Sequence, residues 1–158
     1  MTLVQQITPF TCGLACIESL TRDFNVGITQ CEMLVKYKGL LLGEVSRLED
    51  FGAITSLKVA EILEDRGLNG VLYTSENLAG LIEALLNCPQ GIIWHEIKME
   101  DNKNKNHFFR LSDYNKNSNQ VFVMNPQFDL PAAKTGWVDL SDFLSGNSHF
   151  LLLSHPTT

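Results

Sequence analysis

The chain has 158 residues, a formal net charge of -6, and 44% apolar against 19% charged residues. A chain of that length can bury well over half of its unfolded surface, so residues 1–158 are most simply one domain that needs no staples. The acidic balance disfavours nucleic acid as the main partner, because Lys98, Lys103, Lys105 and Arg110 are interleaved with Asp, Glu and Asn.

From Cys12 to about Asp23 the sequence predicts a helix. Leu14, Ala15, Ile17 and Leu20 recur near helical spacing, and Pro9 and Thr11 punctuate its start. A second helix is expected over 31–41, with a break that contains glycine. The clearest helix is 55–68, where Thr55 can cap, Leu57, Ala60, Ile62 and Leu63 give an apolar face, and Gly67 stops the run. A short strand, GVLYT, follows at 70–74, then a helix over 76–89 that Pro89 ends. The texture then changes. Strands are expected at 91–97, 107–114 and 120–126, separated by a polar loop at 99–106 and a turn at 115–119. A closing strand occupies 146–155. Helices come first and an antiparallel sheet second, which predicts an α+β fold with the helical part packed on the sheet. No apolar run approaches the roughly 20 residues of a membrane span. The start, MTLVQQITPF, has neither the basic nor the apolar part of a signal peptide. A cytoplasmic location is therefore expected, with export by a route that reads no such peptide left open.

Cysteines stand at 12, 16, 31 and 88, and histidines at 95, 107, 149 and 155. There is no C-x-x-C and no tight Cys/His spacing, so the expectation is no metal, no disulfide framework and no organic cofactor. A cysteine nucleophile needs a populated thiolate, a base, and donors for the oxyanion on the substrate carbonyl. The first turn of a helix favours an anion, and Cys12 opens one. Gly13 beside it would let a substrate backbone come close. Gln6 or Gln5, a few residues upstream, could aim an amide at the oxyanion. Cys16, one helical turn on, reads as a small core residue, with a regulatory disulfide to Cys12 as the minor alternative. Cys31 and Cys88 read as structural thiols.

The base should be a histidine on another element. His107 opens a strand directly after the polar loop. If 107–114 pairs with 120–126 around the turn, His107 and Asn125 become neighbours, and Asn125 can orient the imidazole. Asp113 competes as orienter but lies on the same strand as His107. His95 competes as base, yet Glu96 beside it points to the opposite face of the strand. His149 and His155 read as structural or solvated, and Trp94 and Trp137 as core.

These residues carry a resemblance. QITPFTCGLACIESL together with HFFRLSDY and QVFVMNP resembles the papain-like peptidases of the C39 type, which process bacteriocins after a double-glycine leader, often as the N-terminal domain of an exporter. The family pattern has a Gln six before a Cys-Gly, then a His-aromatic strand, then Asp-Pro about one hairpin later. Gln6, Cys12, Gly13, His107, Phe108 and Pro126 match it, and Asn125 stands where the family usually has Asp. GAITSLKVAEILEDRGLNGVLY, CPQGIIWHEI and LSDFLSGNSHFLLL resemble further family segments, so the likeness runs through nearly the whole chain. It implies a papain-like fold with Cys12 as nucleophile, His107 as general base, Asn125 as orienter and Gln6 in the oxyanion hole. The implied partner is a peptide or protein substrate, and an exporter or effector-secretion machine is a second. Two further functions fit the same residues: a deamidase or acyltransferase effector acting on a target protein, and a non-catalytic peptide-binding module.

Overall fold

The computed structural model describes residues 1–41, 54–98, 104–127 and 133–154. Its elements run α1 (Cys12–Asp23), α2 (Gln30–Lys36), α3 (Ser56–Asp65), β1 (Gly70–Thr74), α4 (Leu78–Asn87), β2 (Gly91–Lys98), β3 (Asn104–Asn115), β4 (Gln120–Asn125), β5 (Lys134–Asp139), α5 (Leu140–Leu144) and β6 (Asn147–Leu153). The strands form one antiparallel sheet in the order β1-β6-β2-β3-β4-β5. This is an α+β architecture. No helix among the described residues is long and apolar enough to cross a membrane.

Both faces of the sheet are covered. Ile92, Phe108, Leu151 and Leu153 pack against α1, α2 and α3. Ile93, Leu111, Phe150 and Leu152 pack against Leu81 and Leu85 of α4 and against Leu140 and Phe143 of α5. A strand buried on both faces needs apolar residues at every position, which explains the unbroken FLLL of β6 and the GIIW of β2. The helices are thus divided between two faces rather than gathered in one N-terminal layer.

Most element boundaries follow local chemistry. Thr55 caps α3 by accepting from the Lys58 N–H, and Gly67 takes φ +78 just past the helix, a conformation that strains any side chain. Helix α2 begins at Gln30, one residue before the expected start. Thr29 and Glu32 form a reciprocal capping box there, and the helix gives way to a 3-10 turn at Lys38–Leu40. Strand β3 begins at Asn104, inside the segment expected to be loop. Of that loop, 99–103 lie outside the described residues, as does His155. Strand β5 was not expected from the sequence; it is an edge strand against β4, with Trp137 half exposed.

The β3–β4 hairpin contains the irregularity that matters most for the site. Pairing leaves the turn as Asn115 opposite Gln120, and regular continuation would set Arg110 opposite Asn125. Instead Leu111 opposes Val123 and Arg110 opposes Met124, because a bulge absorbs Ser112. Side chains alternate along a strand, so this one-residue step moves Asn125 off the face of Arg110 and onto that of His107 and Phe109.

Candidate active site

The site is built outward from α1. Cys12 is its first residue and is 8% exposed. Thr11 stands at the N-cap but makes no side-chain cap bond. Its buried hydroxyl turns back into the preceding loop, where it accepts from the Ile7 and Thr8 N–H groups and donates to the Thr8 carbonyl. The first turn of α1 carries no acidic side chain. The positive end of the helix dipole therefore meets neither a cap hydroxyl nor a carboxylate from its own first turn, which favours an anion at the Cys12 sulfur.

Gly13 has a different role from the expected one. A Cβ at that position would fall 2.6 Å from Ile54 Cγ2 and 3.1 Å from Phe108 Cδ2. The glycine is buried and lets α1 press against β3; it is not left open for an approaching substrate. That close approach brings the start of the helix alongside Phe108, the neighbour of His107.

His107 Nε2 lies 2.6 Å from Asn125 Oδ1. The carboxamide oxygen only accepts, so Nε2 carries the hydrogen, and Nδ1 is the basic nitrogen of the neutral ring. Phe109 meets the imidazole edge-on with centroids 4.8 Å apart, and Phe143 backs Phe109 at 5.3 Å. A hydrogen bond and an aromatic edge thus fix the orientation of the ring.

Gln6 joins the same cluster from the other side. Its backbone N–H donates to the Pro126 carbonyl at 2.9 Å, which ties it to the residue after Asn125. Its side chain is 5% exposed, and Nε2 donates one hydrogen to the Thr8 carbonyl at 2.9 Å. Gln6 Oε1 is buried with no hydrogen-bond partner among the described residues. Hydrogen bonds thus join His107 to Asn125, and Gln6 to the residue that follows Asn125. Gln6 and Cys12 flank the Thr8–Thr11 turn, and Gly13, the residue after Cys12, packs against Phe108, the residue after His107.

The competing residues lie elsewhere or are engaged otherwise. His95 is the cross-strand partner of His107 and faces the same side, but its Nδ1 sits 2.7 Å from Ser148 Oγ and its ring packs edge-on to Phe143. Burial holds its pKa below the ordinary imidazole value, with the Asp142 carboxylate pulling the other way. Below the ordinary value of about 6.5 the unfolded chain then binds a proton that the folded chain does not. Stability should fall as pH drops through the window between that value and the lowered one. Replacing His95 with Gln should flatten part of that slope in urea unfolding between about pH 7 and pH 5. An unchanged slope would contradict it.

Asp113 Oδ1 accepts from the Tyr114 N–H, far along β3 from His107. Gln5 is held at its backbone, where its carbonyl accepts from Gln30 Nε2; this bond does not engage its side-chain amide. Cys16 is fully buried, and burial pushes its thiol well up, with Cys12 adding to the rise and Arg110 opposing it. Cys31 is exposed and Cys88 half-buried. His149 stacks on Trp94 with centroids 4.6 Å apart. The two line a cavity of about 350 Å³ with Ile54, Leu57, Leu72 and Asn106. Ile54 also touches Gly13, so this largely apolar cavity reaches the start of α1. Among the described residues no three His, Cys, Asp or Glu side chains converge as a metal-binding group.

Sequence reasoning missed two residues that hold the loop before Cys12. One is Thr11, whose hydroxyl fastens Ile7 and Thr8. The other is Gln30, 3% exposed, whose Oε1 accepts from the Ile7 N–H. Both act by side-chain bonds to backbone groups, which leave no periodic trace in a sequence.

No protein-family model matches the chain, and no curated protein does. Among solved structures, the fold is similar to that of the peptidase domain of Streptococcus ComA, a bi-functional ABC transporter involved in a quorum-sensing pathway. The TM-score is 0.58 at 18% identity, over 95% of this chain and 96% of that one. At that identity the likeness is one of fold: the chain has the α+β fold of that peptidase domain.

Proposed function

We propose that the chain is a cysteine hydrolase that cleaves a peptide bond, with Cys12 as nucleophile, His107 as general base and acid, Asn125 as orienter and Gln6 in the oxyanion hole. The observation that carries this reading is the 2.6 Å hydrogen bond from His107 Nε2 to Asn125, on a hairpin held against the start of the Cys12 helix.

His107 Nδ1 takes the proton of the Cys12 thiol, and the helix start stabilises the thiolate that results. The sulfur attacks the substrate carbonyl carbon. The oxyanion is held by the Cys12 backbone N–H and by the second amide hydrogen of Gln6 Nε2, the first being fixed on Thr8. The imidazolium returns its proton to the leaving amine, and the C–N bond breaks. A thioester on Cys12 remains, which water hydrolyses with His107 again as base. Asn125 keeps the ring in the tautomer that both steps need. It is neutral, so it stabilises the imidazolium less than an aspartate would. The similar domain is a peptidase domain of a transporter, which favours a peptide as the substrate; a leader ending in two glycines, which the sequence resemblance implies, is the first to try.

The test is alkylation by iodoacetamide, followed by peptide mapping across about pH 5.5 to 9. Cys12 should be alkylated well below pH 8, ahead of the exposed Cys31. Equally slow reaction of all four cysteines would sink the enzyme reading. Mass spectrometry of candidate substrates then separates the chemistries. A cut chain supports hydrolysis, whereas a gain of about 1 Da or an adduct on an intact chain marks deamidation or acyl transfer instead.

A further inference from the structure

The residue that aims Gln6 lies outside the cluster. Gln30 is 3% exposed, and its side chain grips the two peptide groups on either side of Gln6. Its Nε2 donates to the Gln5 carbonyl at 2.9 Å, and its Oε1 accepts from the Ile7 N–H at 3.1 Å. One planar amide thus fixes both peptides that flank the Gln6 Cα, and with them the direction in which the Gln6 side chain leaves the backbone. Glutamine suits the task because it presents a donor and an acceptor on one rigid group; glutamate loses the donor and methionine loses both.

Gln30 is itself held. It is the first residue of α2, behind the Thr29–Glu32 capping box. Its own N–H donates at 2.8 Å to the buried carboxylate of Glu18, which sits on α1 and pairs with Arg22 at 3.4 Å. The chain of contacts therefore starts on the helix that bears Cys12, passes through Glu18 and Gln30, and ends on the backbone of residues 5–7. It ties the position of Gln6 to the helix of the nucleophile through Glu18, and meets the Thr8–Thr11 turn only at the Ile7 N–H, which Gln30 Oε1 and Thr11 Oγ share.

We infer that Gln30 is a positioning residue for the oxyanion donor: it acts on catalysis only through Gln6. This rests on the reading in which Gln6 holds the oxyanion, and the experiment separates the two. Two reagents report on Cys12 without knowledge of the substrate. Iodoacetamide alkylates the thiolate by displacement at carbon and forms no oxyanion. With p-nitrophenyl acetate the thiolate attacks the ester carbonyl, a tetrahedral oxyanion forms, p-nitrophenolate leaves with its electron pair, and the acetyl thioester remains.

Gln30→Met should slow acylation of Cys12 about ten- to a hundredfold, after subtraction of the rate in Cys12→Ala. Its alkylation rate should stay within about twofold of the unaltered chain, because no oxyanion donor is involved. Gln30→Asn, too short to reach both peptides, should behave the same way and serves if the methionine variant unfolds by circular dichroism. In a Gln6→Ala background neither replacement should slow acylation further.

Unaltered acylation in both variants would overturn the inference alone, as would additive losses with Gln6→Ala. Equal loss of alkylation and acylation would also overturn it, since that marks a general disturbance of α1. If the unaltered chain shows no selective acylation at Cys12, or if Gln6→Ala acylates normally, the oxyanion reading fails first and this inference with it.

Discussion

Replacing His107 with alanine is expected to lower the alkylation rate of Cys12 at about pH 6.5 by roughly a hundredfold, and to restore it above about pH 9. The magnitude follows from ionisation alone. A cysteine at the ordinary pKa of about 8.5 is roughly 1% thiolate at pH 6.5, whereas a thiol that has passed its proton to an imidazole is mostly ionised. Burial of the side chain works in the same direction, since a thiolate without a cationic neighbour is disfavoured there. Turnover on a peptide should fall further, by about 10³ to 10⁴, because the variant also loses the acid that protonates the leaving amine. A His107→Ala chain whose alkylation profile overlays that of the unaltered chain would show that His107 is not the partner of Cys12.

The second large effect concerns stability. Arg110 is fully buried on the α1 side of β3, with one guanidinium nitrogen 3.0 Å from Asp23 and 2.8 Å from Gln90 Oε1, and another bonded to the Leu111 carbonyl. Its Nε has no hydrogen-bond partner among the described residues. Burial lowers its pKa to about 10 against the pull of Asp23, so the group remains charged at neutral pH. Asp23→Ala leaves that cation facing only neutral acceptors. It also removes the carboxylate that holds the Thr2 N–H and hydroxyl. The cost should be about 3 kcal/mol, the lower end of the range for breaking a buried pair, since the Asp23 side chain is 22% exposed. Adding Arg110→Met to Asp23→Ala should recover part of the loss, because no uncompensated charge then stays buried. Urea unfolding of the two variants measures both effects, and a double replacement less stable than the single one would contradict the account.

The sequence made α1 and α3 legible through helical periodicity and cap residues, and it made the candidate site legible through residue types at telling positions. What it hid has physical reasons. Arg110 reads as one more charge in a polar neighbourhood, yet the strand alternation that carries Phe108 to the α1 face carries Arg110 there too. Gly13 reads as room for a substrate because its real neighbours, Ile54 and Phe108, come from distant parts of the chain. Strand β5 is short and lies at an edge, with an exposed Trp137 and a central Gly136, so neither alternation nor composition announced it. Residues Thr11 and Gln30 act through single bonds to backbone groups, which no periodicity reports.

The expectation that His107 and Asn125 meet was sound in its outcome and incomplete in its cause. A regular hairpin from the Asn115–Gln120 turn would have placed Asn125 with Arg110, on the wrong face. The bulge at Ser112 corrects the parity, and alternation alone could not have located it.

That bulge makes the hairpin a place where chain length can vary at little cost to the site. Deleting Ser112 would leave Leu111 opposite Val123 and Asp113 opposite Phe122, now in regular succession, with His107 and Asn125 still on one face. Inserting a residue opposite it, between Phe122 and Val123, would do the same. The 18-residue spacing from base to orienter in this chain is therefore one permitted value among neighbours, and not a signature. Chains built on the same plan with a spacing of about 17 or 19 are compatible with an identical pairing at the site. A pattern that demanded one fixed spacing would pass them over. What must be counted is the step from His107 to Arg110 on one strand and from Met124 to Asn125 on the other, where the ladder has no slack.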